Sequence, residues 1–420
     1  MKFKVISLGC PKNLVESEYL SALLRDAGHE LDENGEAILI NTCAFISEAA
    51  RESIETILEA KKDAAKKVIV TGCLVERYRE KLVDLLPEAD IFIGRGYYRE
   101  IAAIIGKRGF YHRDGIFSET FPRTVLTSRP TAYLKIQEGC NNRCHYCTIP
   151  AIRGSLASRK EKDILDEFRW LREQGFSEIN LIGQDITSYG TDSGPRALPA
   201  LVRSILEIPG DYHLRLLYMH PNGITEDLIR LMKSDERIIP YLDVPIQHSE
   251  DRILSLMGRG HTRSYLEKTL GMMREILPEA MLRTSIIVGF PTETDDEFDA
   301  LLSFLNTYQF DMLGAFMYAR EEGTIACKLK GQIRQKIKRE RYARLMDQQK
   351  EISRVRLSRL LGTSVQVIVE DAGSDPKVGR MLTQAPDIDG LAFIKGECRT
   401  GDIRAAKIVK TLDYDVVVEV

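Results

Sequence analysis

No stretch of the 420 residues approaches the ~18 consecutive apolar positions that a membrane-spanning helix needs. The opening, Met1-Lys2-Phe3-Lys4-Val5-Ile6-Ser7-Leu8-Gly9, also lacks the apolar core and small-residue cleavage site of a secretory leader. The expected location is therefore cytoplasmic, with no membrane partner. An excess of one charge is missing too. The formal balance of −3 gives no global polyanion-binding signature, so any nucleic-acid argument must rest on local patches. What remains is ordinary globular composition, 44% hydrophobic and 29% charged, over a length suited to roughly three domains.

A further absence bears on chemistry. Gly139-Cys140-Asn141-Asn142-Arg143-Cys144-His145-Tyr146-Cys147 places three thiols at C-x3-C-x2-C spacing. A structural zinc site usually pairs two ligand knuckles, whereas the only nearby fourth ligand here is His145, wedged between two of the cysteines. Three thiolates suit an iron-sulfur cubane, and they leave its fourth iron without a protein ligand.

The first hundred residues alternate strand and helix patterns: strands at 4–8, 37–40, 67–70 and 89–93, helices at 13–27, 47–65 and 77–86. This predicts a doubly wound parallel sheet. Leu8-Gly9-Cys10, Asn41-Thr42-Cys43 and Thr71-Gly72-Cys73 each follow a strand, at the carboxyl edge where open α/β sheets bind ligands. Recurrence after three successive strands points to a second cluster held by Cys10, Cys43 and Cys73, with glycine allowing tight turns before Cys10 and Cys73. Cys327 and Cys398 are read as non-ligands.

Glycine and proline punctuate 106–129, read as an interdomain connection. Six further strands are predicted at 132–136, 178–182, 213–218, 241–246, 282–288 and 312–318, with helices between them, as in a partial TIM-like (βα)6 barrel. The Cys140 loop follows the first of these, on the face where such barrels carry active sites. His220 and His248 are read as structural histidines, and Glu293 as favouring the start of the next helix. Residues 328–361 carry twelve basic side chains against three acidic ones. A solvated helix packed on the barrel is the favoured reading, and a surface contacting ribosomal or transfer RNA the sharper one. The last sixty residues read as a small antiparallel β-barrel, with seven basic against ten acidic residues from 362 to 420. That acidity suits a basic protein partner better than a phosphate backbone.

Cys140-x3-Cys144-x2-Cys147, with Tyr146 before the last thiol, resembles the radical S-adenosylmethionine (SAM) superfamily. From end to end the chain is similar to the methylthiotransferases, which implies an N-terminal domain (1–112), a radical SAM core with a basic helical extension (126–358) and a TRAM barrel (360–420). Cys10-Pro11-Lys12-Asn13, Gly183-Gln184-Asp185-Ile186-Thr187-Ser188-Tyr189-Gly190-x-Asp192 and Tyr318-x-Arg320-Glu321-Glu322-Gly323-Thr324 resemble the protein-modifying branch. The tRNA-modifying branch usually opens G-C-x-M-N. Glu16 stands where Asp is commoner, and Thr292 replaces the usual glycine of G-F-P-G-E.

The resemblance implies two 4Fe-4S clusters and SAM, with Tyr146, Gln184 and Gly289 as SAM contacts. It further implies methylthiolation of an aspartate β-carbon on the twelfth small-subunit ribosomal protein, free or in the assembled subunit. Reduction would come from a donor such as flavodoxin or ferredoxin. SAM would serve both as methyl donor and as source of a 5′-deoxyadenosyl radical. The alternatives are methylthiolation of isopentenylated adenosine in tRNA and a non-catalytic iron-sulfur or zinc protein that binds RNA.

Overall fold

Apolar strands alternating with amphipathic helices build two α/β layers and a terminal barrel in the computed structural model, which describes residues 1–115 and 122–420. Six parallel strands form the N-terminal sheet in the order Glu30–Leu31, Lys2–Ser7, Ala37–Thr42, Lys67–Gly72, Ile91–Ile93, Gly109–Tyr111. The strands at Lys2–Ser7 and Ala37–Thr42 straddle the point where the strand order reverses, which is where doubly wound sheets open a crevice at their carboxyl ends. Gly109–Tyr111 corrects the reading of 106–129 as connection throughout: its first part is an edge strand. Residues 116–121 of that stretch lie outside the described residues. Beyond them, Arg123 is buried between Glu18 and Glu167, tying the connection to both neighbouring domains.

The central strands all appear where the pattern places them, as two parallel sheets. One runs His213–Leu216, Glu178–Ile182, Thr131–Lys135; the other runs Tyr241–Asp243, Met281–Val288, Met312–Met317. A bridge between Leu214 and Ile238 links them, while the edge strands Thr131–Lys135 and Met312–Met317 do not pair, so the barrel is partial. Alternate residues such as Leu134, Leu181 and Leu216 pack outward against Phe168, Leu171 and Leu201 of the covering helices. Their neighbours in sequence face the lumen.

The basic stretch is one helix, Gln335–Ser358. Lys338, Arg341, Leu345, Gln349 and Ile352 are buried, and Arg341, Arg344 and Arg356 pair with Asp295, Asp299 and Asp311. It therefore packs on the barrel, as the favoured reading has it. Among the described residues no helix is long and apolar enough to cross a membrane.

The C-terminal strands Ser364–Asp371, Lys377–Met381, Ala392–Lys395, Ile403–Thr411 and Val416–Glu419 close into a barrel. Its pairings are antiparallel except that Ala392–Lys395 runs parallel to Val416–Glu419. This barrel docks on the amino ends of the central strands. Arg380 reaches Glu178 and Thr131 there, Arg215 donates to Leu382 O at 2.5 Å, and Asp389 accepts from Tyr241 Oη at 2.7 Å.

Glu178 is fully buried. Burial alone would push its carboxyl up, but Arg380 and Arg215 outweigh it and hold the pKa at about 2. A carboxyl depressed below its ordinary ~4.3 contributes stability that is complete above about pH 4.5 and is lost as the pH falls towards 2. We expect this pair to contribute on the order of 3 kcal/mol to the docking. Acid titration followed by near-UV circular dichroism should show loosening in that window, and Glu178→Gln should flatten it. An unchanged profile in the variant would exclude Glu178 as the titrating group.

Candidate metal centres

Cys10 caps the helix Pro11–Asp26, Cys43 follows the strand Ala37–Thr42, and Cys73 opens the helix Cys73–Tyr78. Gly9 (φ +87°) makes their approach practicable: a Cβ there would lie 2.8 Å from Cys43 Sγ. Asn13 clips the loops together, its amide donating to Leu8 O (2.9 Å) and Thr42 O (3.0 Å). Burial and the neighbouring Cys73 push the Cys43 thiol up to about 12. Burial would also raise Cys10, but Lys12 and Arg153 pull it down.

The Cys140 loop leaves the strand Thr131–Lys135 and ends in the short helix Ile149–Arg153. Backbone N–H groups of Asn142 and Ile149 donate to the sulfurs of Cys140 (3.5 Å) and Cys147 (3.4 Å), and Arg259 Nη1 donates to Cys144 Sγ (3.5 Å). Such hydrogen bonds suit thiolate ligands, because they spread negative charge off sulfur. The imidazole of His145 is turned to Leu256 O (2.9 Å), which answers its candidacy as a fourth zinc ligand. Among the described residues no three His, Cys, Asp or Glu side chains converge on a single-ion position. A cubane does not ask for that, since its ligands bind different irons. Three thiols per trio, Cys43 and Cys73 buried and the other four partly exposed, fit such a group.

The two trios are physically joined. Thr148 Oγ1, next to Cys147, donates to Phe45 O (2.8 Å), two residues beyond Cys43. Arg153 donates to Glu16 (2.8 Å), to Glu138 (2.9 Å), to Asn13 Oδ1 and to Cys73 Sγ (3.6 Å). Lys135 completes the cage with Glu138 (2.7 Å) and Glu16 (3.3 Å), and Arg95 lies 3.4 Å from Glu138. Glu16, the departure from Asp, thus serves both Arg153 and Lys135.

Of the expected SAM contacts, Tyr146 lies in the loop with its hydroxyl 3.3 Å from Arg259 Nη1. Gln184 donates to Glu138 Oε1 (2.7 Å), which places it under the Cys140 loop. Gly289 makes room for the stem of Lys338, whose Cγ would lie 2.4 Å from a Cβ. Asp185 accepts from Asn142 (2.7 Å) and steadies the loop from the side. Glu321 takes Ser47 N (2.8 Å) and Arg77 (2.7 Å), so the Tyr318 motif acts by docking the N-terminal sheet. His220 and His248 are buried and neutral; desolvation pushes them down to about 2 and about 3. Each accepts a backbone N–H, from Asn222 and Glu250 respectively.

Glu293 immediately precedes the cap of the following helix. Thr294 is that cap, in a capping box with Glu297, while Glu293 accepts from Phe290 N (2.9 Å) and pairs with Arg341 (3.1 Å). Thr292 sits at φ +69°, where a β-branched residue is strained by roughly 1–2 kcal/mol, partly offset by a bond from Arg252 to its hydroxyl (3.0 Å). Thr292→Gly should therefore raise the thermal midpoint by about 2 °C in differential scanning calorimetry. A lower midpoint would mean that the Arg252 bond outweighs the strain.

Lys12, Asn13, Arg95 and Arg153 are functional candidates that spacing did not single out. Lys12 and Asn13 stand inside the Cys10 motif, but Arg95 and Arg153 carry no local signal.

Three stretches of the chain match known families. Residues 134–305 match the Radical SAM superfamily, residues 2–94 the Uncharacterized protein family UPF0004, and residues 361–420 the TRAM domain. The chain is 44% identical to the "Ribosomal protein uS12 methylthiotransferase RimO" of Geobacter sulfurreducens, covering 100% of this chain and 98% of that one. It is 40% identical to the protein of the same name from Thermotoga maritima, covering 99% of both. Among solved structures it resembles the radical S-adenosylmethionine methyltransferase TsrM of Kitasatospora setae. The TM-score is 0.58, at 16% identity over 77% of this chain and 76% of that one, a likeness of fold. With identity at this level over the full length of this chain and of its relatives, the chain belongs to the radical SAM methylthiotransferase family of which these curated relatives are members.

Proposed function

We propose that this enzyme places a methylthio group on the β-carbon of an aspartate in ribosomal protein uS12, in the cytoplasm. The division of labour is between residues 1–112, 126–358 and 360–420. Cys140, Cys144 and Cys147 would hold one 4Fe-4S cluster, and Cys10, Cys43 and Cys73 the other, with Tyr146, Gln184 and Gly289 lining the SAM side. When bound, the clusters and SAM supply a radical able to take hydrogen from an unactivated C–H bond and the sulfur that replaces it. A donor such as flavodoxin or ferredoxin would reduce them.

The chain's own residues position and shield. Arg259 and the Asn142 and Ile149 amides orient the Cys140 trio, Arg153 and Asn13 the Cys10 trio, and the C-terminal barrel closes the lumen at the far end from both. The observation that carries the reading is Arg153. It stands six residues after Cys147 yet reaches Cys73 Sγ, which supports the reading by tying the two loops together across the seam between the N-terminal sheet and the barrel. Exposed basic residues of Gln335–Ser358, such as Lys336 and Arg339, would meet ribosomal RNA if the assembled subunit is the substrate. Mass spectrometry of uS12 from a strain lacking this gene tests the proposal: the methylthio group should vanish, and its persistence would overturn the reading.

A further inference from the structure

Buried cations between the N-terminal sheet and the barrel come with counter-ions. Lys135 and Arg153 share Glu16 and Glu138, Arg95 has Glu138 and Glu76, and Arg283 has Asp243 and Asp389. Lys12 differs: like Arg259, which lies beside Cys144, it has a thiol, that of Cys10, as its charged neighbour. It is 8% exposed, and among the described residues no carboxylate lies within ion-pair reach of its Nζ. Its head group sits 3.4 Å from the centroid of the Tyr218 ring. A cation–π contact offsets only part of what burying an ammonium costs. The Cys10 thiolate is the main anionic neighbour of Lys12, but among the described residues no carboxylate or other acceptor lies within hydrogen-bond reach of the ammonium, which leaves its N–H donors open to a carboxylate.

The platform beneath it is itself unusual. Tyr218 follows the strand His213–Leu216 and sits at φ +64°, in the left-handed region that bulky residues rarely adopt. Strain of this kind persists where surrounding structure over-determines it, and it clusters at ligand sites. Here Asp243 Oδ2 accepts from Tyr218 N at 2.9 Å and fixes the turn. Lys12 thus enters from the Cys10 loop and Tyr218 from the end of a barrel strand, so the ammonium stands in the crevice between the two domains.

We propose that Lys12 binds the carboxylate of the substrate aspartyl side chain, with Tyr218 as the support beneath its ammonium. This rests on the function proposed above and names the group that recognises the acid. The carbon to be modified is bonded to that carboxylate, so anchoring the acid decides which C–H bond is presented. It also distinguishes aspartate from asparagine, because a neutral amide gives the buried ammonium no anionic partner beyond the Cys10 thiolate.

The test uses anaerobically reconstituted full-length enzyme and two peptides spanning the modified loop of uS12, one with aspartate and one with asparagine at the target. Fluorescence anisotropy gives their affinities for the wild type, Lys12→Met and Lys12→Arg, and iron is counted in each protein. The wild type should prefer the aspartyl peptide. Lys12→Met should bind it about thirtyfold more weakly or worse and bring the two peptides near parity, whereas Lys12→Arg should keep most of the preference. An undiminished preference in Lys12→Met would overturn the proposal. So would loss of about half the iron from that variant, which would assign Lys12 to assembly of the Cys10 cluster. The wild type is separately given SAM and dithionite. Failure to methylthiolate the aspartyl peptide would count against the proposed function itself, while the affinities still judge Lys12.

Discussion

Cys144→Ala enzyme, reconstituted anaerobically and given SAM and dithionite, should release no 5′-deoxyadenosine above background. Cys43→Ala should still release it while forming no methylthiolated product. The asymmetry follows from the two trios lying on different domains. Cys144 belongs to the C-x3-C-x2-C loop, and its sulfur is the one that Arg259 engages (3.5 Å), so its loss removes both a thiolate and the contact that orients it. Cys43 lies at the end of the strand Ala37–Thr42, beside Gly9, and its removal leaves the Cys140 loop's amide donors untouched. Iron analysis supplies a second reading. Two cubanes predict about eight irons per chain and each variant about four. Equal loss of 5′-deoxyadenosine in both variants would contradict separate roles for the trios.

Arg153→Met should be the most damaging substitution away from the cysteines. The side chain is fully buried, with Glu16, Glu138, Asn13 and Cys73 around it. Glu138 is held ionised well below the usual carboxylate range: burial opposes this, but Arg153, Lys135 and Arg95 outweigh it. Removing one member of such a cluster leaves uncompensated buried charge, at about 3–5 kcal/mol. Denaturant unfolding of the apoprotein should show that loss. In reconstituted protein, the cluster on Cys10, Cys43 and Cys73 should become harder to reduce, since a cation and a donor to sulfur have gone; redox titration followed by electron paramagnetic resonance would read it. Arg153→Lys should restore part of the stability and less of the potential, because an ammonium cannot reach several acceptors in the guanidinium's fixed fork. A Met variant with wild-type unfolding would show that Lys135 and Arg95 suffice.

The six thiols were legible because each trio obeys a local rule: one is a tight spacing, the other recurs at strand ends. The parallel sheets were legible for a similar reason, since buried strands such as Ala37–Thr42 are apolar runs. Arg153 was not, because its partners Glu16 and Asn13 lie more than a hundred residues away and nothing in Ile149–Arg153 announces them. Gly109–Tyr111 was hidden by flanking glycines that read as punctuation. Lys377–Met381 contains Gly379 and Arg380, poor strand formers in isolation; tertiary context overrides that, since Gly379 lets Ile368 O approach and Arg380 finds Glu178. Glu293 stands just before the cap residue Thr294, but its carboxylate is engaged by Phe290 N and Arg341, and the acid of the capping box is Glu297, three after Thr294.

The floor of the central barrel has a consequence for what can enter it. Leu382, Asp389 and Arg380 occupy the amino end of the strands and are hydrogen-bonded to Arg215, Tyr241 and Glu178. The lumen is therefore a blind alley and not a tunnel. A polypeptide cannot be threaded through and sampled residue by residue. What fits is the tip of a protruding loop, pushed in and withdrawn by the same route, so selectivity falls on the shape of the folded substrate as much as on its sequence.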